Sequence, residues 1–219
     1  GIGETNTELM ERHWKREIKK VKDTLGKLTQ NRRRQMEHRK SLRLQTVSIV
    51  GYTNAGKTSL FNLLTHKKHL VENALFATLD STVGEIYMPS LHKPVVISDT
   101  IGFISNLPPD LIEAFTSTLM ESVHADVVLH VVDASDPDIA EKIDVVSKIL
   151  DQLDIPEEKE VLVFNKADAI TQPDRDRIAA NTHNAPYIFI SATTREGIDE
   201  LVTSVFPRFL KSTAQPVTP

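Results

Sequence analysis

The eight residues Gly51-Tyr-Thr-Asn-Ala-Gly-Lys57-Thr58 constrain this chain more than any other feature. They fit the spacing GxxxxGK[ST], between a β-branched run at 45–50 and a helical pattern at 57–64. A strand, a tight loop and a helix in that order put glycines where successive backbone N–H groups must converge. The helix N-terminus adds the positive end of its dipole. Such a loop binds phosphate. Lys57 is expected to reach the β and γ phosphates and the Thr58 hydroxyl to ligate Mg²⁺. Asn54, Ala55, Gly56, Lys57, Thr58 and Ser59 are therefore the expected phosphate-side contacts.

From residue 45 onward the pattern alternates between strands and helices. Further strands are predicted near 84–88, 95–98, 126–132, 160–164 and 187–190, with helices at about 109–123, 138–153, 173–181 and 196–209. The runs DVVLHVV and EVLVF are mostly apolar without alternation, and read as parallel strands buried on both faces. This alternation predicts an α/β fold with a doubly wound, mostly parallel sheet, whose ligands bind at the carboxyl ends of the strands. A polar stretch of nearly twenty residues (65–82) interrupts it, and such loops are usually functional.

Three further motifs stand at predicted strand ends. Asp99-Thr-Ile-Gly102 begins 41 residues after Thr58, which suits a carboxylate linked to Mg²⁺ and a backbone N–H aimed at a γ-phosphate. In Asn165-Lys166-Ala-Asp168, the Asp168 carboxylate is suited to accept from guanine N1–H and the 2-amino group. Adenine offers neither donor, so the same group rejects ATP. Ser191-Ala192 follows the last strand, where backbone N–H groups would meet guanine O6. The four motifs in this order predict a nucleotide site selective for GTP or GDP.

The 219 residues suit one such domain (45–210) with an appendage at 1–44 and a Pro/Thr/Ser-rich tail at 211–219, expected to be flexible. Residues 1–45 hold 13 Lys/Arg against 6 Asp/Glu, while the rest of the chain is acidic. Met10, Trp14, Ile18, Val21, Leu25 and Leu28 recur at spacings of three and four, so about 8–40 reads as an amphipathic helix. Its Arg32, Arg33, Arg34, Arg39, Lys40 and Arg43 are either a solvated face or a contact for RNA phosphate. With no cysteine, the chain has no disulfide, thiolate nucleophile or iron–sulfur ligand, which fits a reducing compartment. No apolar run approaches a membrane span and no secretory signal is visible. The expected setting is cytoplasmic, with loose membrane association compatible, and the expected state is a monomer with no DNA partner. The start at Gly1 reads as a processed or truncated chain.

The four motifs resemble those of translation-factor-class P-loop GTPases. The strings GYTNAGKTSLFN, FATLDST, DTIGFISNLPPDLIEAFTSTL and SATTREGI resemble the HflX family over about 45–210. The opening GIGETNTELMERHWKREI is similar to the end of that family's glycine-rich loop and the helices after it. The resemblance implies a GTPase G domain, preceded by the remnant of a larger N-terminal domain. It also implies a large ribosomal subunit as partner, in ribosome splitting or rescue under stress. Within 65–82, a threonine ligating Mg²⁺ is expected. Thr78, Ser81 and Thr82 qualify, and the resemblance favours Thr78 as the threonine of FATLD, although the family usually shows proline where Ser81 stands. Lys57, Thr78 and Gly102 form the expected catalytic set, with Thr58, Thr78 and Asp99 around the metal.

Related GTP-hydrolysing enzymes place a glutamine after DxxG to orient the attacking water. Here that residue is Phe103, which neither donates nor accepts a hydrogen bond, so slow intrinsic hydrolysis is expected. Help would come from a docked partner, or from K⁺ held at Asn54, whose alternative role is a turn residue. His66 and His69 read as solvated loop histidines, and His130 as a satisfied core histidine. Three readings stay open: a ribosome-dependent GTP hydrolase, a nucleotide-state switch that barely hydrolyses, and a module whose basic helix does the binding.

Overall fold

In the computed structural model, the described residues are 19, 30, 34–35, 37–39, 41–66, 82–100, 102, 119, 122–182 and 185–212, the last two by backbone alone. The chain divides into two units, Gly1–Arg43 and Leu44–Pro219. In the first, a helical turn closes where the Leu42 N–H donates to the His38 carbonyl at 3.0 Å and Ser41 Oγ donates to the same carbonyl at 2.7 Å. Arg43 leaves it in the left-handed region, φ 52°. The apolar stripe of 10–28 lies outside the described residues.

Among the described residues of the second unit, six strands form one sheet: β1 (Gln45–Gly51), β2 (Thr82–Met88), β3 (Lys93–Asp99), β4 (Val127–Asp133), β5 (Glu160–Asn165) and β6 (Tyr187–Phe189). Their order is β2-β3-β1-β4-β5-β6. All neighbours pair in parallel except β2 and β3, which are antiparallel. Among the described residues, helices with defined bounds include α1 (Lys57–Thr65), α2 (Ile139–Gln152), α3 (Gln172–Ala180), α4 (Ile198–Glu200) and α5 (Phe206–Ser212). This is the expected α/β architecture. The chain moves outward from β1 in one direction, returns, and moves outward in the other, so the crevice falls beside the ends of β1 and β4.

Both sheet faces are apolar, and each is covered. Val47 and Ile49 of β1 and Leu129 and Val131 of β4 pack with Leu60 and Phe61 of α1 and with Phe206 and Leu210 of α5. The intervening residues, Val50 and Val128, meet Val146, Ile149 and Leu150 of α2 on the other face. Further along that face, Phe164 and Val132 cover Ile178 of α3. Truncating the fully buried Phe61 to alanine would cost about 3–5 kcal/mol.

The C-terminal helix differs from its prediction. Instead of one regular helix over 196–209, α4 passes through a π-helical stretch, Leu201–Val205, into α5. The shift in phase keeps Ile198, Leu201, Phe206 and Leu210 all buried in one cluster. Helical backbone therefore runs through Ser212, two residues into the stretch expected as a tail. The remainder of that tail, most of the helix expected at 109–123, and 67–81 of the long polar stretch lie outside the described residues.

Candidate nucleotide site

Loops at the carboxyl ends of β1, β3, β5 and β6 carry the four motifs of the second unit. The first turns sharply: Asn54 (φ 63°) and Gly56 (φ 92°) both lie in the left-handed region. Gly56 has a second constraint, since a Cβ there would stand 2.2 Å from Asn165 Nδ2. Only glycine meets both conditions. The Leu60 N–H donates to the Gly56 carbonyl at 3.0 Å, so α1 begins immediately and its first N–H groups face the loop.

Lys57 is 7% exposed. Its Nζ donates to the Tyr52 carbonyl at 2.8 Å, folding the side chain back over the loop. Burial lowers its pKa to about 8, against the opposing attraction of Asp99. A buried ammonium with few partners is suited to anionic phosphate oxygens. Gly102 lies beside it: a Cβ on that residue would come within 2.9 Å of Lys57 Nζ.

Thr58 Oγ1 donates to Asp99 Oδ2 at 2.8 Å, and Asp99 is 1% exposed at the end of β3. A hydroxyl and a carboxylate, both hard oxygen donors, meet at the mouth of the phosphate loop. Mg²⁺ takes few protein ligands and completes its octahedron with phosphate and water oxygens. This donor set fits it. Thr78 and Ser81 lie outside the described residues, as does Phe103. Thr82 opens β2, paired in register with Asp99.

The base side is built on Asn165, 2% exposed at the end of β5. Its Nδ2 donates to the Ala55 carbonyl at 2.8 Å, and its Oδ1 accepts from the Ala192 N–H at 3.0 Å. One side chain thus joins the loops after β1, β5 and β6. Lys166 follows in the left-handed region (φ 63°), and its Nζ meets Asp133 Oδ2 at 2.6 Å. Asp168 is exposed in the 3₁₀ turn Ala167–Ala169, which leaves its carboxylate open to a ligand. Ser191 is buried, and its Oγ accepts from the Thr194 N–H at 3.0 Å.

Asn54 is exposed on the rim. Ser59 is half-buried in the first turn of α1. His130 is a core residue, 1% exposed, with Nδ1 2.7 Å from Glu160 Oε1. No cluster of three metal-ligating residues occurs among the described residues, and His69 lies outside them. No helix there is long and apolar enough to cross a membrane.

Three contributors escaped the sequence reading. Asp133 holds Lys166 while its Oδ1 accepts from the Ser135 N–H at 3.0 Å and from Ser135 Oγ at 2.6 Å. Asp-x-Ser after an apolar strand is the local signal that would have marked it. Arg175 and Glu196, which pair at 2.6 Å behind the base loops, carry no local signal.

Residues 46–166 match the family model described as 50S ribosome-binding GTPase. The chain is 42% identical over 213 residues to a GTPase HflX of Caldanaerobacter subterraneus subsp. tengcongensis, covering 97% of this chain and 48% of that protein. It is 37% identical over 217 residues to the GTPase HflX of Escherichia coli, covering 98% and 50%. The chain therefore spans about half the length of these curated relatives. Among solved structures, SsGBP in complex with GDP superposes with a TM-score of 0.60 at 25% identity, over 78% of this chain and 51% of that one. A GTP-binding protein from Sulfolobus solfataricus in complex with GDP gives a TM-score of 0.62 at 24% identity, over 90% and 62%, a likeness of fold.

Proposed function

This chain belongs to the 50S ribosome-binding GTPase family, as a member of HflX type, and on that premise we propose that it binds GTP with Mg²⁺ and hydrolyses it to GDP and phosphate. The observation that carries the proposal is the bridging of the phosphate loop to both base loops by Asn165.

In this reading Lys57 and the N–H groups of 54–59 bind the phosphates, and the Gly102 N–H faces the γ-phosphate. Thr58, Asp99 and Thr78 hold Mg²⁺, which when bound would neutralise charge developing on the β- and γ-oxygens. Asp168 reads guanine N1–H and the 2-amino group, while Ser191 and Ala192 frame O6. Lys166, held by Asp133, lays its stem along the base.

We further propose that hydrolysis is slow until the large ribosomal subunit docks, in ribosome splitting or rescue. Phe103 supplies no hydrogen bond to an attacking water, so the geometry must come from elsewhere. K⁺ beside Asn54 is a second source of positive charge, and equal turnover in KCl and NaCl would remove it. The deciding experiment is GTP turnover with and without purified large subunits. Stimulation supports the proposal. Tight, Mg²⁺-dependent GTP binding with no stimulation would favour a nucleotide-state switch, the reading that Phe103 also fits.

A further inference from the structure

We propose that Arg175 is a positioning residue for base recognition, its guanidinium clamping the turn 165–168 to the loop 191–197. The clamp then sets how sharply the site separates guanine from a purine without the 2-amino group. The proposal rests on the base-reading role given to Asp168 above.

Arg175 sits in the first turns of α3, whose start is well defined. Asp174 Oδ2 accepts from the Thr171 N–H at 3.1 Å and from Thr171 Oγ1 at 2.6 Å, a capping box. From that base the guanidinium reaches two loops at once. Its Nη2 donates to the Ala167 carbonyl at 2.9 Å, and its Nη1 to Glu196 Oε1 at 2.6 Å. The group also lies 5.7 Å from the centroid of the Phe189 ring.

Each anchor is itself fixed. The Ala167 N–H donates to the Ile190 carbonyl at 3.0 Å, so this fully buried residue is pinned on both sides, and Asp168 is the next residue along. The loop bearing Glu196 closes on itself: the Ser191 N–H donates to the Glu196 carbonyl at 3.0 Å, and the Arg195 N–H to the Ser191 carbonyl at 2.8 Å. Gly197 ends the loop at φ 70°, where a Cβ would stand 2.2 Å from the Phe189 carbonyl oxygen.

The ion pair is half-exposed (Arg175 23%, Glu196 43%), so its Coulombic attraction contributes little. What matters is the shape of the donor. A planar fork serves two acceptors in different directions, and a lysine ammonium on a flexible stem does not reproduce that. Without the fork, the buried Ala167 carbonyl keeps only the long 3.5 Å bond from the Ile170 N–H, and the turn carrying Asp168 is held less firmly. Guanine presents two donors to Asp168, whereas hypoxanthine presents N1–H alone. The second bond depends on the angle of the carboxylate, which the clamp sets.

The test is the affinity of the chain for GDP, IDP and ADP with Mg²⁺. It compares the unsubstituted protein with Arg175→Ala, Arg175→Lys and Glu196→Ala, with thermal melts alongside. The unsubstituted protein should prefer GDP over IDP by about tenfold, the worth of one hydrogen bond to a charged group. Arg175→Ala should reduce that ratio to about threefold or less, Arg175→Lys should fail to restore it, and Glu196→Ala should lower it too. If the variants keep the original GDP:IDP ratio while only melting earlier, Arg175 is merely structural and the proposal is overturned. Should Arg175→Ala not fold, Glu196→Ala and Arg175→Lys decide by the same ratio. If the unsubstituted protein binds ADP as tightly as GDP, the role of Asp168 fails, and the proposal falls with it.

Discussion

Asn165 Nδ2 donates to the Ala55 carbonyl at 2.8 Å across 110 residues of sequence, and through that bond the base side of the site holds the phosphate loop in shape. The Asn165 Oδ1 is taken by Ala192, so both ends of the amide are used. Asn165→Ala takes the partner from the buried Ala55 carbonyl and from the half-buried Ala192 N–H. GDP should bind about 30- to 150-fold more weakly, roughly 2–3 kcal/mol, as measured by calorimetric titration. Asn165→Asp should be worse, because a carboxylate donates nothing to Ala55 and repels its carbonyl.

His130 provides a contrast. It is buried in β4 with Nδ1 2.7 Å from Glu160 Oε1, the satisfied core histidine that the sequence suggested. His130→Ala should destabilise the fold by roughly 2–3 kcal/mol in urea unfolding, from a lost hydrogen bond plus a cavity. GDP affinity per folded molecule should change by less than about threefold, since the ligand groups of Asn165 and Lys57 are not among its partners.

The legible parts of this protein were those set by local chemistry. Apart from His130 and Glu160, the runs 127–132 and 160–164 are apolar, as strands buried on both faces are, and both are strands. The glycine spacing of the phosphate loop is local too. Strand order is not, because it depends on which strands meet across long crossovers. β2 alternates, with Glu85 and Tyr87 exposed and Gly84 and Met88 buried, as suits an edge strand, but its antiparallel sense is set by pairing with β3. The partners of Lys166 and Ala167 were hidden for the same reason: Asp133 precedes Lys166 by 33 residues, and Arg175 reaches Ala167 by a turn of α3. The π-helical stretch after α4 was hidden as well, since its phase is set by what Leu201 and Phe206 bury.

The lowered pKa of Lys57 gives a pH signature. Burial holds the ammonium at about 8 in the folded chain, below the ordinary value of about 10.4 for a free lysine. Below pH 8 both folded and unfolded states carry the proton, so the burial cost is fully present. Between about 8 and about 10.4 the unfolded state binds more protons, so the stability of the nucleotide-free protein rises with pH across that window. Phosphate oxygens beside Lys57 raise its pKa again. GDP binding at pH 8.5, where the nucleotide phosphates are already ionised, should therefore take up a proton at Lys57, and almost none is added to Lys57 at pH 6.5. Calorimetry in two buffers of different ionisation enthalpy measures this directly. Lys57→Met should abolish the uptake.

The Thr58–Asp99 bond predicts a metal dependence that can be separated from phosphate binding itself. Asp99→Asn keeps the size of the side chain and an oxygen that accepts from Thr58 Oγ1, but removes the charge. In the unsubstituted protein, chelating Mg²⁺ should weaken GTP binding by more than about tenfold, if Thr58 and Asp99 hold the ion as proposed. In Asp99→Asn the same chelation should change affinity by less than about threefold. Thr58→Ala should shift the metal dependence in the same direction. The two substitutions combined should cost less than the sum of each alone, since both remove parts of one metal site. A full Mg²⁺ response in Asp99→Asn would detach Asp99 from the metal and leave it as a structural partner of Thr58.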